Sequence, residues 1–306
     1  MSRKKSFLFV LFTLFTVITS AQTAEEYFTT AFSKYLSNDF KAAVENFTKA
    51  IDLKPDYADA YFNRAIAYDK MGSYKKAVSD FTKVISMQTD AADTYLNRGI
   101  VQEHAQNYNE ALADYTMAIK LKEKNTVAYM RRAALYSGVK NYDAALEDYK
   151  KVQTILPTYA TAFYEMGLVN DQIEETEQAI FDYNKAIELE PKNAKAYYNR
   201  AFDYDLVNKK TQAVQDYRKA VEIDSTYSNA FFNLAYIYDD AGYYDEAIAC
   251  YSKVIQLEPS AGDAYYNRGL SKINAGRKKD GCFDMMKAAE LGDETAKKYC
   301  KLNCNN

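Results

Sequence analysis

A period of 34 residues runs through this chain without insertion or deletion. Ala43, Ala77, Ala111, Ala145, Ala179, Ala213 and Ala247 fall one period apart, and Gly281 takes the eighth place. A fixed period of this length means one small supersecondary unit used many times, and every local reading must stay in phase with it. Counting each unit from 1 to 34, from Ala24 to Thr295, places these small residues at position 20. Position 24 then carries Phe47, Phe81, Tyr115, Tyr149, Tyr183, Tyr217, Tyr251 and Met285. Position 4 is Tyr or Phe in every unit, from Tyr27 to Tyr265, and position 8 is always Ala or Gly.

Each unit reads as two helices. Positions 4, 8 and 11, and then 20, 24, 27 and 28, repeat at helical spacing, so each segment carries one apolar stripe. Small residues at 8 and 20 let two backbones approach, and the ring at 24 fills the remaining space. Pro55, Pro157, Pro191 and Pro259 stand at position 32, where proline discourages further helical growth, and Gly72, Gly242 and Gly276 mark a turn at position 15. With 48% hydrophobic residues there is ample material for a core, while only 10 Gly and 4 Pro argue against a turn-rich β fold. The 29 Tyr and 16 Phe, with no Trp, suit a thin structure in which a ring is buried while its hydroxyl finds a polar partner. One hairpin cannot cover its own apolar face. Stacking on the next hairpin does, so the expected fold is all-α and elongated.

Position 7 is linked to position 23. Arg64, Arg98, Arg132, Arg200 and Arg268 are followed sixteen residues later by Asp80, Asp114, Asp148, Asp216 and Asp284. Around a turn at position 15 both sites lie at the same height on the hairpin, and the pairs read as structural salt bridges. Where position 7 is Thr30 or Leu234, position 23 is Asn46 or Cys250; Met166 with Asp182 is the exception. A catalytic reading of these pairs is rejected because no nucleophile recurs beside them.

The small residues at 8, 20 and 27, the ring at 24 and the proline at 32 resemble the tetratricopeptide repeat family over nearly the whole chain after residue 23. The resemblance implies a right-handed superhelical solenoid of about eight two-helix repeats, residues 24–295, with first helices lining a concave groove that receives peptides. Tyr or Phe at position 4 departs from the frequent Trp, and Arg at position 7 departs from Leu. In such a groove position 5 would present Phe62, Tyr164, Tyr198, Phe232 and Tyr266, with Asp205 and Asp239 among the acids at position 12. An apolar strip rimmed by carboxylates suits an apolar segment with Lys or Arg nearby. The alternatives are packing between repeats for the strip and a solvated charge row for the acids. Asn63, Asn97, Asn199, Asn233 and Asn267 at position 6 resemble the asparagine ladder of some tetratricopeptide superhelices. Their amides suit either the backbone of an extended peptide or local hydrogen bonding. The basic clamp that some members use for C-terminal carboxylates is absent.

Other chemistry finds little support. His104 is the sole histidine, and Gly-rich phosphate loops, nucleophile elbows, calcium loops and Cys-x-x-Cys pairs are missing, so neither metal nor cofactor nor enzymatic activity is expected. Residues 1–21 read as a secretory signal peptide: Arg3, Lys4 and Lys5, an apolar stretch from Phe7 to about Ile18, then Thr19, Ser20 and Ala21. That stretch falls short of the ~20 residues that span a bilayer, so no stable membrane span is expected after cleavage. The mature chain would carry 36 Lys and Arg against 42 Asp and Glu, an acidic balance that disfavours nucleic acid. The combined reading is a non-enzymatic scaffold, periplasmic or secreted, that binds a protein or peptide. A spacer without a groove ligand and a glycan or peptidoglycan binder are the alternatives.

Residues from Glu294 to about Asn303 read as one further helix that caps the array, with 296–306 as the capping helix and tail and Tyr299 at position 4. Cys282 lies early in its helix and Cys304 late in an antiparallel neighbour, so a Cys282–Cys304 disulfide is expected. Cys300, one turn lower, is a poorer partner, and free thiols are the remaining possibility. Cleavage after Ala21 predicts a mature chain that begins at Gln22. N-terminal sequencing of the exported protein checks this, and a retained Met1 would contradict it.

Overall fold

In the computed structural model, residues 22–87 and 91–304 are described, and the expected signal peptide lies outside them. They divide into two compact units, 1–123 and 124–306. The first holds three helical hairpins: α1 (Ala24–Leu36) with α2 (Phe40–Leu53), α3 (Ala58–Lys70) with α4 (Tyr74–Met87), and α5 (Ala92–His104) with α6 (Tyr108–Leu121). The second begins with α7 (Thr126–Gly138), α8 (Tyr142–Ile155), α9 (Ala160–Gln172), α10 (Thr176–Leu189), α11 (Ala194–Leu206) and α12 (Lys210–Ile223). It continues with α13 (Ser228–Asp240), α14 (Tyr244–Leu257), α15 (Gly262–Asn274), α16 (Lys278–Glu290) and a single α17 (Glu294–Asn303). Within each unit every hairpin stacks on the next in chain order.

The core is a ladder of small residues around one large side chain per hairpin. Positions 8, 20 and 24 are buried in all eight hairpins, as with Ala31, Ala43 and Phe47 in the first and Ala201, Ala213 and Tyr217 in the sixth. Gly167 shows how tight the fit is, since a Cβ there would lie 2.5 Å from the Tyr183 ring. A second contact line joins neighbouring hairpins. Within the units, position 3 is Ala60, Ala162, Ala196, Ala230 and Ala264, all fully buried, with buried Thr94 in the third hairpin. In the first hairpin this position is Glu26, which caps its own helix with Thr23.

The turn at position 15 is left-handed in all eight hairpins: Gly72, Gly242 and Gly276 share it with Asn38, Gln106, Lys140, Glu174 and Asn208. Glycine takes that conformation without a Cβ penalty, whereas the long side chains of Gln106, Lys140 and Glu174 oppose it.

The Arg–Asp pairs form the hydrogen-bonded backbone of the stack. In each of the five, Nε donates to Asp Oδ2 and Nη2 to Oδ1, at 2.6–2.9 Å. Arg64, Arg98, Arg200 and Arg268 also donate from Nη1 to the position-25 side chains of the preceding hairpin: Thr48, Thr82, Asn184 and Ser252. The arginine therefore closes its own hairpin and ties it to its predecessor. The tyrosine at position 4 covers the guanidinium, as Tyr197 does for Arg200. Where Met166 replaces Arg, Asp182 turns to the Asn170 amide at 2.7 Å, and burial pushes it up to about 6 against that hydrogen bond and the Lys150 charge.

The capping helix departs from the sequence register by two residues. Buried Ala296 takes the place of the position-3 alanines, because α16 ends one residue early and the following loop is one residue shorter. Tyr299 is therefore not at position 4, although the helix itself spans Glu294–Asn303 as expected. Asp293 caps it by accepting from the Thr295 and Ala296 N–H groups. Cys282 and Cys304 are joined with a Cα separation of 5.6 Å, while Cys250 and Cys300 are free thiols.

The Arg200 side chain is 15% exposed and that of Asp216 9%, so removing one partner strands a mostly buried charge. Arg200→Leu is expected to cost about 3–5 kcal/mol. Adding Asp216→Val should recover most of that loss, since the seventh hairpin runs with Leu234 and Cys250 at these positions. Urea unfolding of the single and double variants measures both, and a double variant no better than the single would contradict the account.

Candidate functional site

The candidate face lies on the first helices, and the residues expected there divide by what they touch. The rings at position 5 lean inward. Phe62 packs on Phe81, Tyr164 on Tyr183, Tyr198 on Tyr217 and Phe232 on Tyr251, with centroids 5.3–5.9 Å apart, while Tyr266 packs against the Met285 cluster. All five are half-buried. They form the floor of the face and also belong to the hairpin cores.

The asparagines fall into two classes. Asn63, Asn97 and Asn267 donate to the carbonyl four residues back in their own helix, at 2.7–3.0 Å. Asn199 instead reaches the Tyr164 hydroxyl, and Asn233 reaches the hydroxyls of Tyr198 and Tyr217, at 3.2–3.3 Å. These two bind hairpin to hairpin, so the amide row is engaged locally throughout.

The acids at position 12 are likewise engaged. Asp69 pairs with His104 Nδ1 at 2.8 Å, and Glu103 accepts from the Tyr115 hydroxyl at 2.7 Å. Asp171 accepts from the Tyr183 hydroxyl at 2.5 Å and Asp239 from the Ser271 hydroxyl at 2.6 Å. Asp205 faces the Lys210 ammonium at 3.0 Å, and that ammonium also lies 3.5 Å from Asp240. Partners on the second helix of the same hairpin, or in the next hairpin, already occupy this row.

What remains open is apolar. Phe202 and Tyr236 at position 9 are 47% and 57% exposed, and Leu206, one turn beyond Phe202, is 63% exposed. Phe202 and Tyr236 hold the same position in successive stacked hairpins, so the three project on one face. Position-12 chemistry could not reveal this; the signal was the size of the residues at position 9, which are aromatic in these two hairpins and, in the first unit, at the exposed Phe32.

Two clefts run beside the face. One of about 320 Å³ in the second unit is lined by Tyr198, Phe232, Asn233, Ser228, Asn229 and Asp263 among others. Its counterpart in the first unit, about 480 Å³, includes Phe62, Asp59 and Asp93. A larger cleft of about 750 Å³ sits at the inter-helix turns, around Tyr74, Lys75, Lys76, Gln102 and His104, and contains none of the expected groove residues. Among the described residues no group of three or more His, Cys, Asp or Glu could hold a metal ion, and no helix is long and apolar enough to cross a membrane.

Comparison with known proteins agrees with this geometry. Family models described as TPR repeat or tetratricopeptide repeat match 33–72, 58–88, 127–159, 172–204, 194–227, 216–249 and 237–275, more than half of the chain. No curated protein matches the sequence. Among solved structures, the C-terminal part of a TPR repeat-containing protein from Cytophaga hutchinsonii aligns with a TM-score of 0.69 at 21% identity, covering 78% of this chain and 98% of that one. MamA aligns at 26% identity with a TM-score of 0.53, covering 57% and 96%. YrrB, described as a TPR protein with an unusual peptide-binding site, aligns at 24% with 0.55, covering 61% and 97%.

The two asparagine classes differ in what they hold. Asn199→Ala is expected to cost about 0.5–1.5 kcal/mol, because it removes the bond to the half-buried Tyr164 hydroxyl. Asn63→Ala should stay within about 0.5 kcal/mol of the parent, since it removes only a bond to its own helix. Denaturant midpoints of the two variants provide the comparison.

Proposed function

This chain belongs to the tetratricopeptide repeat family, and on that premise we propose that it is a non-enzymatic scaffold binding an extended apolar segment of another protein. The observation that carries the reading is the open trio Phe202, Leu206 and Tyr236. Each ring or chain leaves a large apolar area in water, and covering it is favourable by roughly 25 cal/mol per Å² before the costs of association. The half-buried floor beside it, Tyr198 and Phe232 with Asn233, lines a cleft that would take alternate side chains of such a segment.

The engaged carboxylates argue that apolar contact contributes more to recognition here than ion pairing. The likeness to YrrB is one of fold and adds only that a peptide-binding site has been described on that scaffold. The proposed place of action is outside the cytoplasm, periplasmic or secreted, on the strength of the basic and apolar opening of the sequence. A Cys282–Cys304 disulfide is in keeping with an oxidising compartment.

The test is cross-linking and co-purification from the cell envelope, followed by affinity measurement on the captured partner. Phe202→Ala together with Tyr236→Ser is expected to weaken that affinity at least tenfold, about 1.4 kcal/mol, with an unchanged melting temperature. Unaltered affinity would favour a spacer that uses other surfaces, and competition by soluble sugar would favour a glycan ligand.

A further inference from the structure

Two junctions in the second unit are built alike except for one donor. In the later one, the Ser271 hydroxyl at position 10 of the eighth hairpin donates to Asp239 Oδ1 at position 12 of the seventh, at 2.6 Å. Ser271 is fully buried. The same two positions in the fifth and sixth hairpins hold Asp171 and Asp203, also 32 residues apart. Position 10 is apolar in most other hairpins, as in Ala67, Val101, Val169 and Ile237. Asp203 stands there 1% exposed.

The hydrogen-bond inventory of this pair is one donor short. Asp171 Oδ2 accepts from the Tyr183 hydroxyl, but buried Asp171 Oδ1 and Asp203 Oδ2 have no donor. The two carboxyl groups interact with each other across the junction. Two ionised carboxylates so placed would repel each other with little water to screen them. Serine supplies a proton to the contact in the sister junction. Aspartate can do the same only in its acid form.

We propose that Asp171 and Asp203 hold one proton between them in the native fold, making the contact between the fifth and sixth hairpins a pH-sensitive lock that loosens when the proton leaves. The groups facing the pair allow this. Tyr164 lies on α9, Tyr183 on α10, Asp205 on α11 and Tyr217 on α12, and none of them brings a positive charge. The Lys210 ammonium on α12 is taken up by Asp205 and Asp240. Burial, then the neighbouring Asp171 charge and hydrogen bond, push Asp203 up to about 8; burial also raises Asp171, against the hydrogen bond from Tyr183.

The sign of the effect follows from linkage. An unfolded chain would release this proton near an ordinary aspartate value of about 3.9. Between there and about 8 the native state binds more protons than the unfolded one, so stability falls as pH rises through that window and levels off above it. Asp182, raised to about 6, adds a slope of the same sign but would be untouched by changes at Asp203. The inference does not depend on what, if anything, the apolar face binds.

The direct test is carbon NMR of the full mature chain with labelled aspartate Cγ, assigned by the signal lost in Asp203→Asn. The expected result is a carboxyl in this pair still in its acid form at about pH 6.5. Completion of both titrations in the ordinary aspartate range would overturn the proposal. Independently, Asp203→Asn keeps a donor without a proton to lose. Its unfolding equilibrium should show a pH dependence smaller by about one proton than that of the parent between about pH 5 and 7.5. Equal slopes would also overturn it. Should Asp203→Asn not fold, Asp203→Ser, which reproduces the sister junction, gives the same comparison, and the NMR titration of the parent chain requires no stable variant.

Discussion

The bidentate bond from the position-7 arginine to the position-23 aspartate is the contact on which the rest of this architecture depends. A tetratricopeptide hairpin has a thin core, one ring and a few alanines, and gains most of its stability by stacking. A guanidinium fits that setting because its fork spends two donors on the aspartate of its own hairpin and leaves a third for the preceding one. Lysine could supply charge but not this geometry. The arrangement also explains why the aspartates can be almost fully buried, with Asp284 at 1% and Asp148 at 3% exposure. Their charge is met at both oxygens by the same side chain.

Departures from the pattern are answered locally, and the answers differ in chemistry. The seventh hairpin drops both charges for Leu234 and Cys250. The fifth keeps its aspartate and replaces the arginine by an amide, Asn170, one turn further along the same helix. That solution leaves a buried carboxyl without a guanidinium to fork onto it. A second uncompensated carboxyl, Asp203, lies in the neighbouring hairpin. Burial is the first cause of the upward shift at both aspartates.

Much of this was legible in the sequence because period and chemistry coincide. Small residues at 8 and 20, the ring at 24 and the Arg–Asp spacing of sixteen each report a contact within one hairpin, and one period is enough to expose them. Contacts between hairpins were harder to see. The buried alanine at position 3 carries no marking beyond its size. The partners of the position-12 acids come from the ring at 24, from position 10 of the next hairpin, or from His104 and Lys210, and no single spacing announces them. The aromatics at position 5 read as groove residues, yet an edge contact with the ring at 24 draws them halfway into the core. The capping helix slipped by two residues because a shortened loop breaks the period where no further repeat remains to restore it.

The proposed recognition surface lies where the pattern leaves something unspent. Amides, acids and inner rings are engaged, which leaves outer apolar residues, among them Phe202, Leu206 and Tyr236 in the second unit. The claim beneath this is that the arginine donors are withdrawn from water, and proton exchange at Arg Nε measures it most directly. The account predicts well-resolved, slowly exchanging Nε–H signals for Arg64, Arg98, Arg132, Arg200 and Arg268, each lost on substitution of its own aspartate partner. Exchange of these protons at the rate of a solvated arginine would contradict it.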